Sequence, residues 1–488
     1  MDEVSIEKVN EVYVRVNADP GVKMEMSEYF TFEVPGAKFM PSVRNKVWDG
    51  KIRLLNVMTG MIYAGLVPYI LKFCNVREYH VTVDKGIVPN NPVQDTAGYD
   101  LAKEFKSAFT PRDYQNNAVV HALKSDRALL LSPTASGKSF IIYLLSRFHV
   151  DANDRKVLIV VPTTSLVEQM ASDFVEYNNG EELDIHKIRG GVDKNVDANI
   201  TITTWQSVYK LKKDWFAKFD VVIGDEAHLF KAKSLVSVLE KMPDCKYRYG
   251  FTGTLDGTET HKLVLEGLFG KTYQAVTSKE LMDDKHISDL KIECLMLKYD
   301  DGERKQLKTA TYQEEIDFIV SSKKRNEFIC ELALARKGNV LVLFNYVDKH
   351  GKPLHTLLKT KIKEDRKLFY VSGETDVDTR ESIREITEKE KNAIIVASIG
   401  TFSTGINIKN LHNIVFASPS KSRIRNLQSI GRGLRLGDNK INAALYDIAD
   451  DLTYKSKENF TLKHFQERIN IYTEEEFDYE IHNIQLKE

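Results

Sequence analysis

The stretch that most constrains this chain is Ser132-Pro133-Thr134-Ala135-Ser136-Gly137-Lys138-Ser139. The apolar run Ala128 to Leu131 precedes it, short enough for a buried strand. Phe140 to Leu145 follows and reads as the buried face of a helix. Strand, tight polar loop and helix together make a phosphate site. The loop turns its N–H groups inward, and the helix brings the positive end of its dipole to the same point. Pro133, Thr134, Ala135, Ser136 and Gly137 are therefore expected to cradle a nucleotide. Lys138 would reach its outer phosphates, and the Ser139 hydroxyl would hold Mg²⁺. Ser132 stands where such a loop usually begins with glycine. A plain strand-to-helix turn is the competing reading, and other motifs must decide.

Length and composition narrow the class. A chain of 488 residues should hold about three domains. With 42% hydrophobic and 28% charged residues it can bury large cores and keep a polar surface. The net charge is −1, so nucleic-acid binding must come from local patches. Cys74, Cys245, Cys294 and Cys330 are far apart, which argues against a disulfide scaffold or an iron–sulfur cluster and for a reducing compartment. The acidic start Met1-Asp2-Glu3-Val4 is not expected to be a signal peptide, and no apolar run reaches membrane-spanning length.

Residues 1–88 read as a small α+β domain. Tyr29 to Val34 alternates like a strand, and Asp49-Gly50 is a two-residue hairpin signal. That turn would pair Trp48 with Lys51, Val47 with Ile52 and Lys46 with Arg53. Lys46, Trp48, Lys51 and Arg53 would then share one face, a basic platform with an aromatic at its tip. A solvated sheet face explains the same pattern equally well. Asn90 to Gly98 is polar and broken by Pro92, so a linker is placed there. Phe109 to Gln115 leads into the helix before the phosphate loop. Gln115 has the donor and acceptor pair needed to read an adenine edge.

Further strands are expected at Val157–Val161, Asn199–Thr203, Asp220–Gly224 and Tyr247–Phe251, with helical segments between them. Apolar strands alternating with helices predict a parallel sheet covered on both faces. The third of these strands runs into Asp225-Glu226-Ala227-His228. Carboxylates at the C-terminal end of a parallel strand sit where ligands bind in such folds. Asp225 suits a Mg²⁺-linked role, and Glu226 suits polarising the attacking water.

In this order the motifs resemble those of superfamily 2 helicases. Gln115 falls at the adenine-reading motif, Ser132–Ser139 at motif I and Val161–Gln169 at motif Ia. Thr203–Ser207 resembles motif Ib, Asp225–His228 motif II, and Thr252-Gly253-Thr254 motif III. Downstream, strands are expected at Val340–Phe344, Leu368–Val371, Ile394–Ala397 and Asn413–Phe416. Ser403 to Asn407, including Gly405, resembles motif V, and Gln428 to Arg435 resembles motif VI. Arg432 and Arg435 lie three apart and would share a helix face, and a guanidinium from a facing domain can stabilise a transferring phosphoryl group as an arginine finger does. The run Val34 to Lys51 resembles the recombination helicases of T-even bacteriophages.

The resemblance implies an α/β protein with two RecA-like parallel-sheet motor domains, a small N-terminal α+β DNA-binding domain and a C-terminal helical tail. The boundaries would be 1–88, 89–298, 299–452 and 453–488, with Leu462, Phe465, Ile469 and Tyr472 forming the packed face of the tail helix. It implies ATP and Mg²⁺ as cofactors, held by Gln115, the phosphate loop, Asp225 and Gly405. Catalysis would fall to Lys138, Asp225, Glu226, Gln428, Arg432 and Arg435, with Thr163 and Thr204 on the phosphodiester track and Thr252 and Thr254 coupling turnover to movement. The implied substrates are Holliday junctions, stalled forks and R-loops, meaning branched or single-stranded DNA and RNA–DNA hybrid. They would be worked on in the host cytoplasm by a monomer, or with a single-stranded-DNA-binding protein as partner. An RNA helicase, a duplex translocase that leaves strands paired, or a nucleotide-gated annealing protein remain alternatives on the residues alone.

Overall fold

The computed structural model describes residues 3–34, 36–89, 91–195, 197–231, 233–255, 258–405, 408, 410–420, 422, 427, 429–431 and 442–486. The chain divides into two compact units, with the change at Val276–Thr277; the short loop Pro133–Ser136 groups with the second. Each is built on a seven-stranded sheet in which every strand pair is parallel.

In the first unit the strand order is Thr272–Gln274, Arg127–Leu131, Tyr247–Thr252, Val221–Asp225, Val157–Val161, Ile200–Thr204, Ile185–Ile188. Neighbouring residues on one strand enter opposite cores because side chains alternate across the pleat. Ala128 and Leu130 join one hydrophobic cluster and Leu129 the other. Ile159 and Leu158 divide in the same way. Helices must therefore cover both faces, which explains the near-continuous apolar strands. The strand order has a chemical result. Three strand ends stand side by side, carrying Ser132 and its loop, Thr252 and Asp225.

The second unit contains the four expected strands, in the order Leu368–Val371, Ile394–Ser398, Val340–Phe344, Asn413–Phe416. Its sheet continues through Asn442–Asp451, Asp289–Lys298 and Asp478–Gln485. Two expectations are corrected here. Asp289–Lys298 pairs along its whole length with Asn442–Asp451, so the second unit begins before residue 299. The tail is not only helical. Helix Phe460–Glu474 buries Leu462, Phe465 and Tyr472, and the chain then returns as the edge strand Asp478–Gln485. No helix among the described residues is long and apolar enough to cross a membrane.

The N-terminal region has its own sheet, ordered Met61–Tyr63, Tyr13–Asn17, Glu3–Lys8, His80–Val83. The hairpin expected at Asp49-Gly50 does not form. Pro41 starts the short helix Pro41–Arg44, Lys46 takes a left-handed φ of 56°, and Lys51–Arg53 pairs antiparallel with Thr31–Glu33 instead. Proline at a first helical position is favourable, and here it outweighs the turn signal. Tyr29 and Phe30 close helix Pro20–Tyr29 rather than joining the strand.

This region shares an interior with the first unit's sheet layer. Helix Glu259–Phe269, just past Thr254, sends Leu263 into the N-terminal core and Leu265, Leu268 and Phe269 into the core under the sheet. The Tyr69 hydroxyl donates to buried Glu266 at 2.6 Å, and the Tyr13 and Tyr63 hydroxyls both donate to Glu240 at 2.8 and 2.9 Å. A Cβ on Gly65 would come within 2.0 Å of the Glu266 carbonyl oxygen, so only glycine admits this approach. Leu263→Ala should therefore cost about 2–5 kcal/mol. Calorimetry should show the N-terminal region and the parallel-sheet layer melting together at a lower midpoint. An unchanged midpoint would mean the core is not shared.

Candidate active site

The phosphate loop is built as its composition demands. Helix Lys138–Asp151 starts on Gly137, whose φ of 76° lies in the left-handed region. The Ser136 N–H and hydroxyl both donate to the Pro133 carbonyl, at 3.2 and 2.6 Å, closing the turn. Ser132 is fully buried, and its N–H donates to the Thr252 carbonyl at 2.9 Å. The missing first glycine is thus accommodated by packing. Ala135 holds a φ of 70°, a conformation that costs an alanine about 1–2 kcal/mol.

Lys138 Nζ lies 3.4 Å from Glu226 Oε1. Glu226 follows strand Val221–Asp225 with a φ of 50°, so the chain kinks as the carboxylate leaves the sheet. Its other oxygen lies 3.3 Å from His228 Nδ1, which is also 2.9 Å from Thr252 Oγ1. The Thr252 hydroxyl donates to the Thr254 carbonyl at 2.9 Å, so His228 Nδ1 supplies the hydrogen to Thr252. An unbroken polar chain therefore runs from motif I through motif II to motif III. Burial would raise the Glu226 carboxyl, but the charges of Lys138 and His228 outweigh it and hold it below its ordinary value. Burial pushes the neighbouring Asp225 carboxyl up, against the pull of Lys138.

Asp225 Oδ1 is buried and makes no hydrogen bond among the described residues. An orphaned carboxylate oxygen at the strand end, with the Ser139 hydroxyl in the first helical turn, is a donor set that fits Mg²⁺.

Gln115 is placed differently from a free adenine reader. It is buried, its Oε1 accepts from the Arg112 N–H at 2.9 Å, and its Nε2 donates to the Gly137 carbonyl at 3.4 Å. It caps its own helix and braces the phosphate loop. Gly405 ends helix Ile399–Gly405 in the second unit. Gln428, Arg432 and Arg435 lie outside the described residues.

The expected nucleic-acid residues scatter. Trp48 is half-buried and donates its indole N–H to the Lys51 carbonyl at 2.9 Å. Arg53 pairs with Asp49 at 2.5 Å, and Lys51 Nζ lies 4.0 Å from Glu33. With the hairpin absent, these four residues do not form the expected platform. The same segment instead exposes Lys38, Phe39, Met40, Arg44, Lys46 and Val47, with Phe39 66% exposed and the Lys38 ammonium 5.2 Å from its ring centre. Thr163 caps helix Thr164–Tyr177 by accepting from the Leu166 N–H, leaving Thr164 and Ser165 exposed on that turn. Thr204 is buried at a strand end with its hydroxyl 3.0 Å from Ser207 Oγ, so it is not a surface contact.

A phosphate loop and a strand-end carboxylate pair on one parallel sheet, followed by a second parallel sheet, define a nucleotide-driven motor of superfamily 2. Three family models match: "DNA helicase UvsW, N-terminal" over residues 4–84, "Type III restriction enzyme, res subunit" over 108–257 and "Helicase conserved C-terminal domain" over 323–437. The ATP-dependent DNA helicase UvsW of Enterobacteria phage T4 is 38% identical, covering 97% of this chain and 98% of that one. The crystal structure of T4 UvsW superposes with a TM-score of 0.52 at 35% identity, over 99% of this chain and 100% of that one. The DNA 3'-5' translocase XPB2 of Sulfurisphaera tokodaii is 25% identical, over 75% of this chain and 87% of that one. The chain belongs to the UvsW family of ATP-dependent DNA helicases.

The contact between Gln115 and the loop gives a test. A Cβ on Gly137 would meet Gln115 Nε2 at 2.5 Å, and its φ of 76° disfavours any side chain. Gly137→Ala should weaken nucleotide binding at least tenfold. Adding Gln115→Ala should restore only the part due to the clash. Equal nucleotide affinity in Gly137→Ala and the parent, by fluorescence titration, would contradict this geometry.

Proposed function

We propose that this chain couples ATP hydrolysis to unwinding and branch migration of branched DNA, namely Holliday junctions, forks and R-loops, in phage recombination, repair and replication within the host cytoplasm. Family membership supports the DNA-directed motor. The observation that carries the chemistry is the Lys138–Glu226 contact, continued through His228 to Thr252. Lys138 binds the outer phosphates. Glu226 polarises the attacking water, its carboxylate kept ionised by the same lysine. Asp225 and Ser139 are the residues that would hold Mg²⁺, which when bound neutralises phosphate charge. Gly405, Gln428, Arg432 and Arg435 remain in their proposed roles on the strength of the sequence, the arginines as fingers. His228 links motif III to the catalytic carboxylate, its Nδ1 hydrogen-bonded to Thr252 and lying 3.3 Å from Glu226.

Glu226→Gln keeps the shape and removes the base. Its kcat should fall on the order of 10²- to 10⁴-fold with ATP binding retained. Lys138→Ala should lose both hydrolysis and tight nucleotide binding. Phosphate release measured beside nucleotide titration separates the two, and near-normal turnover in Glu226→Gln would overturn its role. Unwinding assayed in parallel on forked, four-way, R-loop and plain duplex substrates tests the substrate class. Equal activity on all four would remove the preference for branches, and ATPase without strand separation would make the chain a translocase.

The duplex arms of a junction need a second surface, and the exposed segment Lys38 to Val47 has the cations and the aromatic for it. Combining Lys38→Ala, Arg44→Ala and Lys46→Ala should weaken junction binding. The salt dependence should flatten by about one unit of slope for each phosphate no longer neutralised. Lys51→Ala with Arg53→Ala should do less, because both side chains lie beside carboxylates. The reverse ranking in a salt titration would return the role to Lys51 and Arg53.

A further inference from the structure

Ser139 does not stand alone in the phosphate loop. Its Oγ lies 2.7 Å from the hydroxyl of Tyr177, the last residue of helix Thr164–Tyr177. The two residues are far apart in sequence and meet because that helix packs against the phosphate-loop helix. Tyr177 is held on two sides. Its carbonyl accepts from the Ala108 N–H at 2.9 Å and from Ser107 Oγ at 3.1 Å. Its ring sits in an aromatic box, with centroids 5.0 Å from Phe140, 5.6 Å from Tyr143 and 5.7 Å from Phe109, at angles between 64° and 87°. Edge-to-face packing of this kind fixes a ring and hence the direction of its hydroxyl. The phenol oxygen is thus delivered to Ser139 by a rigid support.

A serine hydroxyl has one hydrogen and two lone pairs, and a cation needs the lone pairs. Giving the hydrogen a fixed acceptor orients the oxygen, as outer partners orient metal ligands generally. We propose that Tyr177 is a positioning residue for Ser139. It accepts the Ser139 hydrogen and leaves the oxygen facing the divalent cation that accompanies the nucleotide. The proposal rests on the reading of Ser132–Ser139 as the phosphate loop. It adds a residue from outside every helicase motif, placed by the aromatic box at the end of the motif Ia helix.

Tyr177→Phe keeps the ring in its box and removes only the hydroxyl. The test is equilibrium binding of a fluorescent ATP analogue to the full-length chain, titrated with Mg²⁺ and repeated in chelator. The Mg²⁺ concentration for half-maximal enhancement should rise about tenfold. Binding in chelator and the thermal midpoint should match the parent. Ser139→Ala should raise the Mg²⁺ requirement at least as much, and the double variant should be no worse than Ser139→Ala. An unchanged Mg²⁺ requirement in Tyr177→Phe, with Ser139→Ala still affected, would overturn the positioning role alone. A lowered requirement would also overturn it, since the phenol would then compete with the cation. Equal loss with and without Mg²⁺ would reduce Tyr177 to packing. No effect of Ser139→Ala would overturn the phosphate-loop assignment itself.

Discussion

The contact between Lys138 and Glu226 is the interaction that gives the first unit its arrangement of motifs. Lys138 sits in the first position of a helix, where the dipole presents its positive end, an unfavourable place for an ammonium. The carboxylate 3.4 Å away offsets that repulsion. It can do so because a single strand, the one carrying Thr252, separates the other two. A one-residue slip of Val221–Asp225 in its register would turn Asp225 to the opposite face and pull Glu226 out of reach. The parallel order of the strands is therefore a chemical requirement as much as a packing one.

The second unit is anchored by charges in a different way. Arg468 pairs with Asp447 and Arg325 with Asp450, all four fully buried, with Tyr472 and Tyr299 adding hydroxyl donors to the same carboxylates. Removing one partner of such a pair strands a charge in the interior and is strongly destabilising. Strand Asn442–Asp451 is thereby fixed on both sides, by helix Phe460–Glu474 and by helix Lys323–Ala335.

Much of this was legible in the chain. Runs such as Val157–Val161 and Val340–Phe344 are too short and too β-branched for anything but buried parallel strands, and the loops that follow carried the site residues. What escaped notice had physical reasons. Asp49-Gly50 is a strong local turn signal, but Pro41 starts a helix just before it and tertiary pairing with Thr31–Glu33 takes the downstream arm. Strands Asp289–Lys298 and Asp478–Gln485 pair with partners far along the chain. Alternation at Leu290, Ile292 and Cys294 was the available clue. Gln115 and Thr204 looked like ligand contacts because their residue types suit the task, yet burial turns both inward. The Tyr177 hydroxyl left no trace in sequence, because its meaning depends on how two helices cross.

The bridging helix Glu259–Phe269 has a consequence for how such a protein can change over time. The N-terminal region does not finish its own interior, since Leu263 of the motor supplies part of it. Gly65 and Gly267 are kept small by close approach to the opposite side, one to backbone and the other to the Tyr63 ring. An N-terminal module built this way is not a cassette that can be moved onto another motor or trimmed away at the linker. Substitutions on one side must be matched on the other, so the two parts should be inherited together and diverge in step. A load on the N-terminal surface would pass through Leu263 and Glu266 into the motor's own helix, making the N-terminal region a strain gauge for the motor.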